Sequence, residues 1–155
     1  MEKIDSLNQV AEFHRTFNAP ILETPQIPSK ERCELRVSLL QEELNELKQA
    51  IEDNDLVEIA DALCDLQYVL SGAVLEFGLG EKFVELFNEV QRSNMSKACD
   101  TELQAQETVE HYKAKGEEAF YEKSGDKFNV HRISDNKVLK NKYYSAADLK
   151  SIIEK

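Results

Sequence analysis

Apolar residues recur at helical intervals over most of the first 115 positions. Ile4, Leu7, Val10, Ala11, Phe13 and Phe17 have roughly helical spacing, which predicts a helix over residues 3–17. All three prolines fall between residues 20 and 28, so residues 18–29 read as a loop. A second helix, residues 30–52, carries Leu40, Leu44, Leu47 and Ile51 on one stripe. Ser29 stands as its N-cap, with Arg32 where a full capping box would have an acid. Asp53, Asn54 and Asp55 break the pattern. Asp55 then caps a third helix, with Glu58 at the box position, that runs to about Gly78. This helix is apolar nearly all round. It is therefore expected to be the central, most buried one, with Cys64 as a small core residue. Gly78 and Gly80 suit its stop. A fourth helix, residues 81–98, is expected to turn Phe83, Leu86, Phe87, Val90 and Met95 inward.

The pattern changes in the last third. Residues 101–115 still read as a helix, with Leu103, Ala105, Val109 and Tyr112 as its apolar positions. Beyond Gly116, two short β-type runs flank Ser124-Gly125-Asp126, and Lys137-Val138-Leu139 follows a further turn signal. Residues 146–154 suit a short closing helix. The predicted architecture is an all-α bundle of four or five helices over residues 1–115. A small extension of short strands and a helix, residues 116–155, packs on the same domain. No repeat of fixed period is visible.

A length of 155 residues suits one domain and permits a real core without disulfides. A hydrophobic share of 41% sets the chain apart from disordered acidic tails. The net charge of −11 opposes nucleic-acid backbones and anionic membranes, so neither is expected as a partner. Cys33, Cys64 and Cys99 are odd in number and form no C-x-x-C pair, which makes zinc and disulfide scaffolds poor fits. The first residues lack the apolar stretch of a signal peptide. The longest apolar segment, residues 62–79, is broken by Asp65, Gln67 and Glu76 and argues against a membrane span. A cytoplasmic setting is the default expectation.

The charge has a location. Between residues 31 and 65 stand eleven acids and three bases. Glu42 and Glu43 precede Glu46 by four and three residues, which places them on one helical face. Glu58, Asp61 and Asp65 share a face of the next helix. Surface decoration is the plainer reading, but it fits Asp61 and Asp65 badly if their helix is buried, because a buried unpaired carboxylate costs several kcal/mol. Antiparallel packing across the short break would bring the two acidic faces together. Such an all-oxygen set, without His or Cys, suits magnesium or manganese. No histidine has Glu three residues before it, as a di-iron bundle requires, and an EF-hand register starting at Asp53 places Glu58 and Cys64 at its Gly and Glu positions. Phosphate-loop, dinucleotide and nucleophile-elbow signatures are also missing.

Glu42-Glu43-Leu44-Asn45-Glu46, followed after eleven residues by Glu58-Ile59-Ala60-Asp61, resembles the E-E-x-x-E … E-x-x-D signature of the all-α nucleoside triphosphate pyrophosphatases. That superfamily includes MazG, dimeric dUTPases and phosphoribosyl-ATP pyrophosphohydrolase. Arg92-Ser93-Asn94-Met95-Ser96-Lys97 and the tail Asp135-Asn136-Lys137-Val138-Leu139-Lys140, with Ala146-Ala147-Asp148-Leu149, are similar to a phosphoribosyl-ATP pyrophosphohydrolase-like subgroup. The resemblance implies a MazG-like bundle that hydrolyses a nucleotide between its α and β phosphates, releasing pyrophosphate. It implies magnesium, with manganese as a substitute, held by Glu43, Glu46, Glu58 and Asp61. Glu42, a further ligand or the group that orients the attacking water, and Glu43 would be the catalytic residues. Asp65 stands one turn beyond the signature, as a supporting group or a further ligand.

Arg92 and Lys97 are the candidate cations for the substrate's phosphates, and Asn94 a hydrogen-bonding partner for phosphate, sugar or base. Superfamily members build their sites between subunits, so a homodimer or homotetramer is implied. The expected substrate is a (deoxy)nucleoside triphosphate resembling dUTP or dCTP, cleared in nucleotide-pool house-cleaning. Phosphoribosyl-ATP in histidine biosynthesis is the alternative within the same chemistry. A non-catalytic helical adaptor that keeps the fold is the alternative of another class, which calorimetry with magnesium would separate. Lys140 and Lys142 are weaker phosphate candidates. Phe13, His14 and Phe17 read as core rather than as a base-stacking set. His111 and His131 show no surrounding chemistry.

Overall fold

The computed structural model describes residues 4–155. The chain forms α1 (Ser6–Thr16), α2 (Lys30–Glu52), α3 (Leu56–Glu76), a 3-10 turn (Gly80–Lys82), α4 (Phe83–Met95) and α5 (Glu102–Lys113). A hairpin, β1 (Ala119–Ser124) and β2 (Lys127–Arg132), and a short α6 (Leu149–Ile153) complete it. The fold is thus mostly helical with one small antiparallel hairpin, as the pattern predicts. Of the first predicted helix, Lys3 lies outside the described residues.

Contacts divide the chain into two compact units, Met1–Phe83 and Val84–Lys155. The sequence places a division after residue 115. In the structure α4 and α5 fall in the same unit as the hairpin.

In the first unit, local chemistry fixes the helix starts. Ser29 Oγ accepts the Arg32 amide at 3.4 Å, and Asp55 Oδ1 accepts the amides of Val57 and Glu58 at 2.9 and 3.2 Å. These are two of the expected caps. The Asp55 amide bonds back to Ala50 O, which closes α2 tightly onto α3. Asn54 takes a positive φ of 56° to allow that turn. α1 lies on α3 through Val10, Ala11 and Leu75, with Ile21 from the following loop. The loop is tied to the end of α3 by Leu22 N to Leu75 O and Gln26 N to Phe77 O. Gly78 has φ +67°, and a Cβ there would stand 1.9 Å from Thr24 O, so only glycine lets the loop cross.

Four expectations about burial fail. Only the last third of α3 is buried in this chain, from Ser71 to Glu76 apart from Ala73, together with Ala62. Leu56 and Val57 are 77% and 76% exposed, and Cys64 is exposed rather than core. The reason is the small number of neighbours: among the described residues of its unit, α3 leans chiefly on α1 and α2. Its exposed Leu56, Leu63 and Leu70 are seven residues apart and so lie on one stripe, as do Val37, Leu44 and Ile51 of α2. On α4, Leu86 is buried but Phe87, Val90 and Met95 are exposed. On α1, His14 is buried while Phe13 and Phe17 stack on each other at 4.4 Å and stay largely open.

The second unit is built around Cys99, Ala105, Val130 and Leu139, covered by Val109, Tyr112, Tyr121 and Phe128. The hairpin pairs Ala119 with Arg132 and Ser124 with Lys127 around Gly125-Asp126. Along its other edge β2 bonds to Cys99 and to the tail, with Leu139 N donating to Val130 O at 2.8 Å.

Candidate active site

One stripe of α2 carries Arg32, Arg36 and Glu43, and one stripe of α3 carries Asp61, Asp65, Gly72 and Glu76, of which Asp61 and Asp65 are exposed. The helices run antiparallel, so each stripe has one end facing charge of the opposite sign and one end facing charge of its own.

At the balanced end, Glu76 is fully buried. Arg32 Nε donates to its Oε2 at 2.9 Å, and guanidinium donors of Arg32 and Arg36 meet its Oε1. Burial pushes the Glu76 carboxyl up. The hydrogen bonds and charge of the two arginines outweigh it and hold its pKa below the ordinary carboxylate range. His14 Nδ1 donates to Pro20 O at 2.8 Å, which leaves its Nε2 lone pair facing Arg36 Nη2 at 3.5 Å. A Cβ on Gly72 would stand 2.8 Å from Arg36 Nη1 and 3.0 Å from His14 Nε2. Glycine makes the room for the guanidinium.

At the other end, Glu43 stands two turns further along α2, about 10 Å from Arg36 by helical rise. It is half-buried, and its Oε2 is buried without any hydrogen-bond partner. Burial raises its carboxyl above the ordinary range, and the charges of Glu46, Asp65, Glu42 and Asp61 raise it further. Both helices thus contribute to one acidic neighbourhood. Glu42, Glu46, Glu58, Asp61 and Asp65 are all exposed, so Asp61 and Asp65 are not the buried charges their apolar helix suggested. Glu58, in the first turn of α3, is not among the groups that act on Glu43. Asp65 is, although it lies outside the signature. Its spacing of four from Asp61 was the available signal. Among the described residues, no three Asp, Glu, His or Cys side chains are drawn together as a finished metal cage. Like charges on exposed side chains stay apart. Glu42 also lines an open groove on the outer face of α2 with Cys33, Val37, Ser38, Gln41 and Asn45.

The remaining candidates belong to the second unit. Arg92 grips Glu89 with two 2.7 Å bonds and donates to Ala146 O at 3.0 Å. The Arg92 guanidinium and the Asp148 amide hold Glu89 at about 2. Lys97 Nζ donates to Asn94 Oδ1 at 2.7 Å, so those two candidates are already in contact. Sequence spacing did not reveal the Arg32–Arg36–Glu76 cluster, because its members come from helices 40 and more residues apart.

Chemically, the acidic end of the first unit offers clustered carboxylate oxygens that form no ion pair among the described residues, and the second unit offers ammonium and guanidinium donors. Residues 10–94, more than half of the chain, match a family model described as phosphoribosyl-ATP pyrophosphohydrolase. The match takes in every carboxylate above together with Arg92 and Asn94, and stops short of Lys97. An uncharacterized protein of Acanthamoeba polyphaga mimivirus is 24% identical over 244 residues, covering 99% of this chain and 97% of the relative. The likeness therefore continues through the tail.

Proposed function

The chain belongs to the phosphoribosyl-ATP pyrophosphohydrolase family, and from that premise we propose a magnesium-dependent nucleotide pyrophosphohydrolase. Its substrate would be a (deoxy)nucleoside triphosphate, cut between the α and β phosphates to the monophosphate and pyrophosphate. The observation that supports this most is Glu43. A carboxylate with a buried, unpartnered oxygen and four acidic neighbours is unfavourable alone and well suited to a hard divalent cation. Glu43, Glu46, Glu58 and Asp61 are the proposed ligands, with Asp65 added for its place beside Glu43. When bound, magnesium supplies charge neutralisation of the triphosphate and acidifies a coordinated water. Glu42 is a further ligand or the group that orients the attacking water. Arg92 and Lys97 bind phosphate oxygens, and Asn94 fixes the nucleotide by hydrogen bonding. Without added cations a region this acidic would repel a triphosphate, so activity should require the metal absolutely, with manganese as substitute.

The two exposed apolar stripes support a homodimer or homotetramer. Val37, Leu44 and Ile51 on α2 and Leu56, Leu63 and Leu70 on α3 are large apolar side chains left exposed, which a second copy could cover. Light scattering at several concentrations tests this, and a strictly monomeric chain would remove the proposal.

The family's own description favours a second substrate, phosphoribosyl-ATP. One experiment addresses both. A panel of nucleoside triphosphates with phosphoribosyl-ATP is scored for pyrophosphate against phosphate release, with magnesium, manganese or chelator. Glu46→Gln is the control and should abolish turnover with the fold intact. Pyrophosphate release that survives in Glu46→Gln would sink the site assignment.

A further inference from the structure

We propose that Lys140 and Lys142 join Lys97 in a polyphosphate-binding patch on the second unit, and that Asn141 is the residue that positions it. The proposal rests on the pyrophosphohydrolase reading for its ligand class, the linear phosphate chain of a nucleotide.

The tail between the hairpin and α6 is fastened to the exit of α4 through Asn141. This residue is 7% exposed. Its backbone amide donates to Lys97 O at 3.0 Å, and its side-chain Nδ2 donates to Ala98 O at 3.0 Å. Its Oδ1 accepts the Tyr143 amide at 3.0 Å. One step on, the Lys142 amide donates to the buried Thr108 hydroxyl at 3.1 Å, and that hydroxyl donates to Gln104 O at 2.7 Å. Ser145 N to Ser96 Oγ, at 3.0 Å, and the Tyr144–Ser93 hydroxyl pair, at 2.9 Å, continue the seam. A buried asparagine with its polar atoms used in this way fixes the backbone around it.

The fixed backbone carries three cations. Lys140 Nζ lies 4.5 Å from the Tyr144 ring centre, Lys142 Nζ 5.4 Å from that of Tyr143, and Lys97 Nζ bonds Asn94 Oδ1. Among the described residues, none of the three pairs with a carboxylate, whereas Arg92, Lys127, Arg132, Lys150 and Lys155 all do. The nearby Glu107 carboxylate is taken by the Tyr143 hydroxyl at 2.6 Å. Residues 136–147 hold Lys137, Lys140 and Lys142 and no acid, in a chain of net charge −11. An ammonium resting on an aromatic face keeps N–H donors free for an anion. Several such donors on one rigid segment match a ligand whose charge is spread over successive phosphates.

The test uses the full chain and inorganic tripolyphosphate, by titration calorimetry in chelator at low ionic strength. Lys140→Gln and Lys142→Gln should each weaken binding about tenfold, the loss of one charge-assisted hydrogen bond. Lys150→Gln, whose native partner is Glu154, should not. In turnover assays the same two variants should raise KM and spare kcat. Asn141→Ala should raise KM as well, but should add nothing in a Lys140→Gln/Lys142→Gln background, which a general loss of stability would not produce. Tripolyphosphate binding absent in the wild type, or unchanged in the double-lysine variant, overturns the patch even if nucleotides are hydrolysed. This arm stands whether or not Asn141→Ala folds. Lysine-dependent binding without hydrolysis of any nucleotide keeps the patch and overturns the enzymatic reading instead.

Discussion

Glu76 and Glu43 sit on the same helix pair, one at each end of the facing stripes, and they are opposites. Glu76 is fully buried yet more acidic than an ordinary carboxyl, because two guanidinium groups reach it. Glu43 is only half-buried yet less acidic, because burial and four like charges oppose its ionisation. Depth of burial therefore does not rank these groups; the sign of what surrounds them does. The balanced end, at Glu76, is a structural bond. The other is a concentration of charge that helix packing alone does not balance, and that is where chemistry is to be sought.

The whole chain repeats the contrast. Residues 1–83 carry 7 Lys and Arg against 17 Asp and Glu, a net of −10. Residues 84–155 carry 12 against 13, a net of −1. Nearly all of the surplus negative charge thus belongs to the unit that holds the acidic end.

The strongest way to break the comparison is Glu76→Gln. It leaves the buried Arg36 without its counter-charge and should cost about 3–5 kcal/mol in chemical denaturation. A loss under 1 kcal/mol would show that the balanced end is not balanced by Glu76. Next is Gly72→Ala. The added methyl meets the movable end of Arg36, so the expected loss is about 1–3 kcal/mol. The wild type should also lose stability on acidification. The Glu76 carboxyl lies below its ordinary 4.5, so its contribution is complete above that value and fades as pH falls through the lower folded value. Glu76→Gln should flatten this acid limb. The smallest effect has the opposite sign. In chelator at neutral pH, Glu43→Gln should raise the melting temperature slightly, since it removes a carboxylate that folding makes harder to ionise. The gain should vanish below the ordinary carboxylate range, where the native residue is protonated in both states. A fall in melting temperature at neutral pH would mean that Glu43 has a balancing partner.

Helices, caps and hairpin could be read locally, because periodicity, Ser29, Asp55 and the Gly125-Asp126 turn act within a few residues. The order of carboxylates along α2 and α3 was equally legible. Burial was not. Apolar spacing says that Leu56, Cys64, Phe87 and Met95 suit cover, but not that this chain supplies it, and in the structure all four are exposed. The Arg36–Glu76 contact spans 40 residues and leaves no local signature. The spacing of Asp65 from Asp61 marked it as a candidate, and the structure adds that its charge acts on Glu43.

The tight turn at Asp53, Asn54 and Asp55 gives the buried ion cluster a second meaning. With so short a link, sliding α3 by one residue would turn every one of its side chains by about 100° around the helix axis. Glu76 would leave the two arginines at the same moment that Asp61 and Asp65 left Glu43. The cluster thus works as a key that admits only one alignment of the two helices, and the acidic end inherits its geometry from a lock two turns away.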